Sequence, residues 1–180
     1  IASRFKIYNH SWNQASALFT ISAKIGKKNI CINRIVKGAD FIIGIGSIVP
    51  HATCGFSGGG KIILPGICRK DTVEDMHWKA LDFPVNKILG VYSNPVRKMI
   101  DAVAKRVGLK FIVNTILDDK NRIVDIVAGE PVKAHRIGVD VAKRAYGYRI
   151  PYLADIVVAD ASPMDIDLRQ AIKAVAASDL

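Results

Sequence analysis

The sequence predicts an α/β fold, on three observations. Short apolar runs that end in turn residues alternate with helical patterns. Two of the helical patterns open on a proline and close at a glycine, the asymmetry that marks helix ends. The apolar run Phe41 to Val49 (FIIGIGSIV) empties into a glycine-rich stretch that holds one histidine and one lysine.

Taken in order, Ala15 to Lys24 carries a helical pattern and Asn29 to Ile35 reads as a short strand. Phe41 to Val49 reads as a buried strand. The glycine-rich stretch follows, then a short helix over Thr72 to Leu81 with acids near its start, then a strand over Val85 to Val91. Asn94-Pro95 starts a helix in which Val96, Ile100, Val103 and Val107 repeat at helical spacing up to Gly108. Leu109 to Leu117 is a strand, Asp118-Asp119-Lys120-Asn121 a hairpin turn, and Ile123 to Val127 the returning strand, ended by Ala128-Gly129. Pro131 opens a helix that runs through Ala145 and stops near Gly147. Asp155 to Ala159 reads as an apolar strand and Asp167 to Ala177 as a helix. The stop at Tyr146 to Pro151 divides the chain into residues 1–148 and a piece, 149–180, too short to fold alone. No internal repeat or low-complexity tract is present.

Composition narrows the function classes. Half of the 180 residues are hydrophobic, enough for a sizeable core, yet no apolar stretch approaches the roughly 20 residues of a membrane helix. Ile1 to Lys6 has no apolar leader pattern. Cys31, Cys54 and Cys68 are irregularly spaced, which argues against a disulfide framework and a four-thiolate zinc site and favours the reducing cytoplasm. The net charge of +10 raises nucleic acid as a partner. The basic residues are spread out, however, and no array of aromatics accompanies them. They read as a solvated surface suited to anionic small molecules.

The stretch Pro50 to Gly66 carries the chemistry. It sits just past a strand's carboxyl end, where open α/β sheets bind ligands. Gly58-Gly59-Gly60 lack Cβ atoms, so a ligand can approach their backbone, and Lys61 beside them is a point charge or a nucleophile. Gly55 to Lys61 also fits the phosphate loop of nucleotide hydrolases, G-x-x-x-x-G-K. That loop needs a Ser or Thr next, and a helix; here Ile62 follows, and Pro65-Gly66 blocks a helix within one turn. The match is accidental. Taken residue by residue, His51 is either a proton-transferring group or a loop histidine bonded to backbone. His77 is either a ligand or a surface residue of its helix.

The run P-H-x-x-x-G-F-S-G-G-x-K-x-x-x-P-G resembles the nickel-pincer-dependent lactate racemase family. Here it is Pro50-His51, Gly55 to Lys61 and Pro65-Gly66, followed by Asp75-Met76-His77-Trp78. The spacings from His51 to Lys61 and from Lys61 to His77 agree with the family pattern. Ile32-Asn33-Arg34, Ala39-Asp40, Asn94-Pro95-Val96-Arg97 and the segment Ala154 to Lys173 extend the likeness over nearly the whole chain. The resemblance implies a two-domain α/β architecture, of which residues 1–148 are part of the N-terminal cofactor and catalytic domain and 149–180 the start of the second. The other catalytic histidine and main phosphate-binding residues of the family fall upstream of Ile1.

It further implies racemisation or epimerisation of a 2-hydroxy acid by reversible hydride transfer, through a 2-keto intermediate. The cofactor is a pyridinium bis-thio (pincer) mononucleotide carrying nickel, tethered to Lys61, with Ser57, Gly58, Gly59 and Gly60 beside it. His77 is the implied nickel ligand and His51 one of two histidines exchanging the hydroxyl proton, a role imidazole suits at neutral pH. Cofactor-biosynthesis proteins are the implied partners. His10 matches a family position, without an assigned role, and His135 reads as structural.

The last helix holds a second set of candidates. Asp167 with Gln170 forms a capping-box pattern, while Arg169 and Lys173 share a face four residues apart. The resemblance places Gln170 and Lys173 at substrate-contacting positions. Arg169 stands where the lactate enzyme has a tyrosine, so it either favours a substrate with a second anionic group or points to solvent. The alternative to the racemase is a nucleotide- or phosphate-binding module of the same fold without redox chemistry, with Lys61 unmodified.

Overall fold

The computed structural model describes residues 4–162 together with 165, 166, 168, 171, 174 and 175. Arg169, Gln170 and Lys173 lie outside the described residues, as does most of the helix expected over 167–177.

The chain begins its regular structure with a hairpin, β1 (Leu18–Ile25) and β2 (Lys28–Asn33), paired antiparallel. The helix expected over Ala15 to Lys24 is therefore replaced by a short 3-10 turn, Ala15–Ala17, and a strand. The period decides it: Phe19, Ile21 and Ala23 alternate with Thr20, Ser22 and Lys24, and Gly26, at φ 59°, supplies the left-handed turn between the strands.

The central sheet has three strands in the order β3 (Ile42–Ser47), β6 (Leu109–Leu117) and β7 (Ile123–Gly129). β3 and β6 run parallel, and β6 and β7 form the expected hairpin. Between β3 and β6 lie the miniature hairpin β4 (Pro50–His51) and β5 (Gly55–Phe56), a 3-10 turn over Gly59–Ile62, α1 (Lys70–Ala80) and α2 (Pro95–Val107). α3 (Pro131–Tyr146) follows β7 and packs on β6 and β7. Two expected strands are absent. Val85 to Val91 forms a 3-10 turn over Val85–Lys87 and further turns, bounded by Pro84 and by Gly90 at φ 70°. Asp155 to Ala159 has no regular structure, and Ile156 and Val158 there are exposed.

The helix ends are built as the sequence reads. Asn94 caps α2, its side-chain oxygen accepting from Arg97 N–H at 2.8 Å, Pro95 occupies the first turn, and Gly108 closes it at φ 94°. Glu130 accepts from Lys133 N–H at 2.8 Å ahead of Pro131. Two apolar clusters result. One joins Ile30, Ile32, Leu64, Met76, Ile100 and Ile112; the other sets Ile48, Phe56, Ile116 and Val127 against Val139 and Ala142 of α3. The glycine-rich turn is wedged between them. No helix among the described residues is long and apolar enough to cross a membrane.

Candidate functional site

His51 and Lys61 come together because the chain doubles back at once after β3. Pro50 and His51 pair with Phe56 and Gly55, and the backbone then turns through Ser57 to Gly60 into the 3-10 turn that carries Lys61. Lys61 Nζ and His51 Nε2 are hydrogen-bonded at 2.5 Å. The other imidazole nitrogen, Nδ1, accepts from Thr53 N–H at 3.3 Å and lies 3.2 Å from Thr53 Oγ1, which fixes the ring's orientation.

Lys61 lines a cleft of about 250 Å³ with Ile45, Gly46, Gly58, Pro65 and Asn114, at the carboxyl end of β3. A larger, shallower cleft of about 470 Å³ lies between the β1–β2 turn and α1, next to Trp78 and the 2.7 Å Lys28–Asp75 ion pair. It contains neither His51 nor Lys61. Of the two, the smaller is the one that Lys61 lines.

The three glycines are required by the protein's own packing. Gly58 and Gly59 have φ of 73° and 58°. A Cβ on Gly58 would lie 2.8 Å from Ile48 and 2.9 Å from Asn114; on Gly59, 2.9 Å from the His135 ring; on Gly60, 2.8 Å from Ala104. The missing side chains thus let the turn press against α2, α3 and the sheet. That differs from the sequence-level reason, which was room for a ligand.

Buried polar side chains hold this turn from below. Asn94 donates to Val91 O at 2.6 Å and Cys54 O at 3.2 Å. Arg97, 3% exposed, donates to Phe56 O and to Gly58 O, the latter at 3.2 Å, with Asp101 3.7 Å away. Asn114 Oδ1 accepts from Gly59 N–H at 2.8 Å. His135 Nε2 is 2.8 Å from Ser57 O. Burial pulls the His135 pKa from 6.5 down to about 3, helped by the Arg97 charge and opposed by the Ser57 carbonyl. The ring is therefore neutral at physiological pH, and its Nε2–H donates to Ser57 O. Burial also raises the Asp101 carboxyl against the lowering effect of Arg97 and Arg136.

Sequence reading named His135 only as structural and gave Asn114 no role. Both stand at core-facing positions of apolar patterns: Asn114 between Ile112 and Ile116 on the inward face of β6, His135 beside Ala134 and Val139. A polar residue in an inward stripe is the signal that marks them.

His77 lies half-buried in the last turn of α1 and is not among the residues lining the Lys61 cleft. Among the described residues, no three His, Cys, Asp or Glu side chains group as a metal site. Cys31, Cys54 and Cys68 are buried free thiols, and burial pushes Cys68 up to about 12. His10 has a structural place: its Nε2 is 2.9 Å from Cys68 O, and Asn33 Nδ2 lies 3.0 Å from its Nδ1, tying the N-terminal segment to the end of β2.

A mixed α/β fold here sets a lysine–imidazole pair past the carboxyl end of a parallel strand, the place where open α/β sheets bind ligands. Residues 1–87 match the family described as lactate racemase N-terminal domain. The chain is 28% identical over 183 residues to the lactate racemase of Lactiplantibacillus plantarum, an alignment covering 99% of this chain and 43% of that protein. It is 33% identical over 152 residues to the lactate racemase of Thermoanaerobacterium thermosaccharolyticum, covering 82% of this chain and 35% of that protein. The structure of the latter organism's lactate racemase apoprotein superposes with a TM-score of 0.70 at 30% identity, over 76% of this chain and 33% of that one. A Thermotoga maritima protein superposes with a TM-score of 0.63 at 25% identity, over 76% of this chain and 39% of that one. Residues 1–87 thus match the lactate racemase N-terminal domain, and the chain is similar to lactate racemases. It spans less than half the length of the curated relatives it matches.

Proposed function

We propose that the protein containing this chain racemises or epimerises a 2-hydroxy acid, with Lys61 as a covalent anchor and His51 as an acid–base group. The single observation that carries this reading is the 2.5 Å contact between Lys61 Nζ and His51 Nε2, Lys61 also lining the cleft. It puts a potential nucleophile and a proton-transfer group on one spot.

The residues suit a nickel pincer nucleotide in two respects. The Lys61 amine reaches a cleft, so a covalent link there leaves the attached group room beside β3. His77 carries an imidazole, a ligand type that suits nickel. Lys61 would hold that group and His77 its nickel. The chemistry it supplies when bound is reversible hydride acceptance from the carbinol carbon of the substrate.

The chain's own residues have distinct work. His51 exchanges the substrate hydroxyl proton, with Thr53 orienting the ring through Nδ1. Ser57 is tied down, its Oγ donating to Ser47 O at 2.7 Å and accepting from Val49 N–H, so the turn keeps its place beside β3. In this reading residues 149–180 begin a second domain, where Gln170 and Lys173 bind the substrate carboxylate. Arg169, replacing a tyrosine, selects a second anionic group. Cofactor-biosynthesis proteins act as partners, and the three free thiols suit a reducing cytoplasm.

The test is intact mass and peptide mapping of full-length protein from its native host, joined to chiral chromatography of lactate and a 2-hydroxy diacid. A thio-nucleotide adduct on Lys61 with nickel present, and interconversion of enantiomers, is the expected result. An unmodified Lys61 in cells that make the cofactor refutes the racemase and leaves a phosphate-binding module.

A further inference from the structure

Four consecutive residues of the site turn each give one backbone group to a buried side chain. The Phe56 and Gly58 carbonyls accept from Arg97 of α2, the Ser57 carbonyl accepts from His135 of α3, and the Gly59 N–H donates to Asn114 of β6. Three separate elements thus converge on residues 56–59. Burying an arginine, an amide and an imidazole costs free energy that apolar side chains of similar volume would not. A core needs no such residues there.

The turn they hold joins the two halves of the site. On one side Gly55 pairs with His51 across the miniature hairpin; on the other, Lys61 N–H donates to Gly58 O at 3.2 Å. Rotation of any peptide between 56 and 59 therefore moves Lys61 relative to His51. A lysine stem is flexible, so its amine stays on one imidazole nitrogen only if both backbones are fixed.

We propose that Arg97, Asn114 and His135 are positioning residues: they lock the peptides of residues 56–59 and so hold Lys61 against His51. His135 works as a neutral donor, and its ring also fills the space a Cβ on Gly59 would need. The inference rests on the reading of Lys61 and His51 as the reacting pair, but its test does not need a loaded enzyme.

Full-length protein with Lys61 verified unmodified by intact mass is treated with limiting N-hydroxysuccinimidyl acetate. Peptide mapping then gives the acetylation rate of Lys61 relative to exposed Lys27 and Lys70. His135→Phe keeps a ring and deletes the donor; His135→Gln keeps an N–H donor at similar reach. In His135→Phe the half-buried Lys61 is released, and its relative rate rises about tenfold. His135→Gln stays within about twofold of the parent protein, a rescue that filling space alone does not give. Asn114→Leu, near-isosteric and acting on the next peptide from another strand, shows the same rise and serves if His135→Phe does not fold. A folded His135→Phe or Asn114→Leu protein with an unchanged or lowered Lys61 rate overturns the proposal, as does a Gln variant that behaves like Phe. Should native Lys61 prove unmodified while these shifts occur, the clamp stands and the racemase reading falls.

Discussion

Acid should destabilise this protein through His135, and the size of the effect follows from its burial. The folded-state pKa is lowered from 6.5 to about 3, so the unfolded chain binds the proton first as pH falls. The stability tied to the neutral ring is complete above pH 6.5 and is lost progressively as pH drops from 6.5 toward 3. At 1.36 kcal/mol per pH unit, the loss between pH 7 and pH 5 is about 2 kcal/mol. The chain holds three other histidines, His10, His51 and His77, so the parent protein alone does not isolate the effect. Comparison with His135→Gln removes them, because the glutamine keeps a donor for Ser57 O and does not ionise. Urea unfolding should be followed by far-UV circular dichroism, since Trp12 and Trp78 are largely exposed and report poorly on the core. The parent is expected to lose about 2 kcal/mol more than the variant on going from pH 7 to pH 5. Equal losses would refute the argument, because they would mean that His135 is not held neutral and buried under Ser57.

Two further substitutions probe the same turn. Gly59→Ala places a Cβ at φ 58° and 2.9 Å from the His135 ring; it should cost about 1–3 kcal/mol from backbone strain before any repacking, visible as a lowered urea midpoint. Asn94→Ala removes the α2 cap and leaves the Cys54 and Val91 carbonyls without their donor, for about 2–4 kcal/mol, whereas Asn94→Asp keeps the cap and should fall between; thermal melts of the three proteins give the order.

Much of the fold was legible wherever one period dominated. Val96, Ile100 and Val103, with Asn94-Pro95 before them and Gly108 after, spell out α2, and the β6–β7 hairpin is written around Asp118 to Asn121. Ala15 to Lys24 forms a 3-10 turn and a strand, not the expected helix, because its alanines carry helix propensity while the alternation of Phe19, Ile21 and Ala23 with polar residues belongs to a strand. Val85 to Val91 has strand-forming residues but pairs with no strand as a ladder among the described residues; Ile88 is anchored in the core instead. At the site, the motif brought out His51 and Lys61, which the structure joins. The supports were harder to see, because Arg97, Asn114 and His135 stand 17 and then 21 residues apart on different elements and meet only through the fold. Their one local trace is polarity at an inward-facing position.

The strand that leads into the site shows why local pattern and burial diverge. Phe41 to Val49 is apolar on both faces, the pattern of a parallel strand covered on each side. One face obeys it: Gly44 runs so close to the Lys61 turn that a Cβ there would lie 2.9 Å from Ile62. The other carries Ile43 and Ile45, in register with Phe111 and Val113, and on across β6 to Ile126 beside Thr115. Ile45 is 72% exposed and Ile126 54%. Composition cannot report which neighbour covers a strand, only that its side chains favour being covered. The covered face is the one pressed against the turn that carries Lys61. β3 thus positions the site through its glycines, and its isoleucines keep the signature of an interior strand although the described residues cover one face alone.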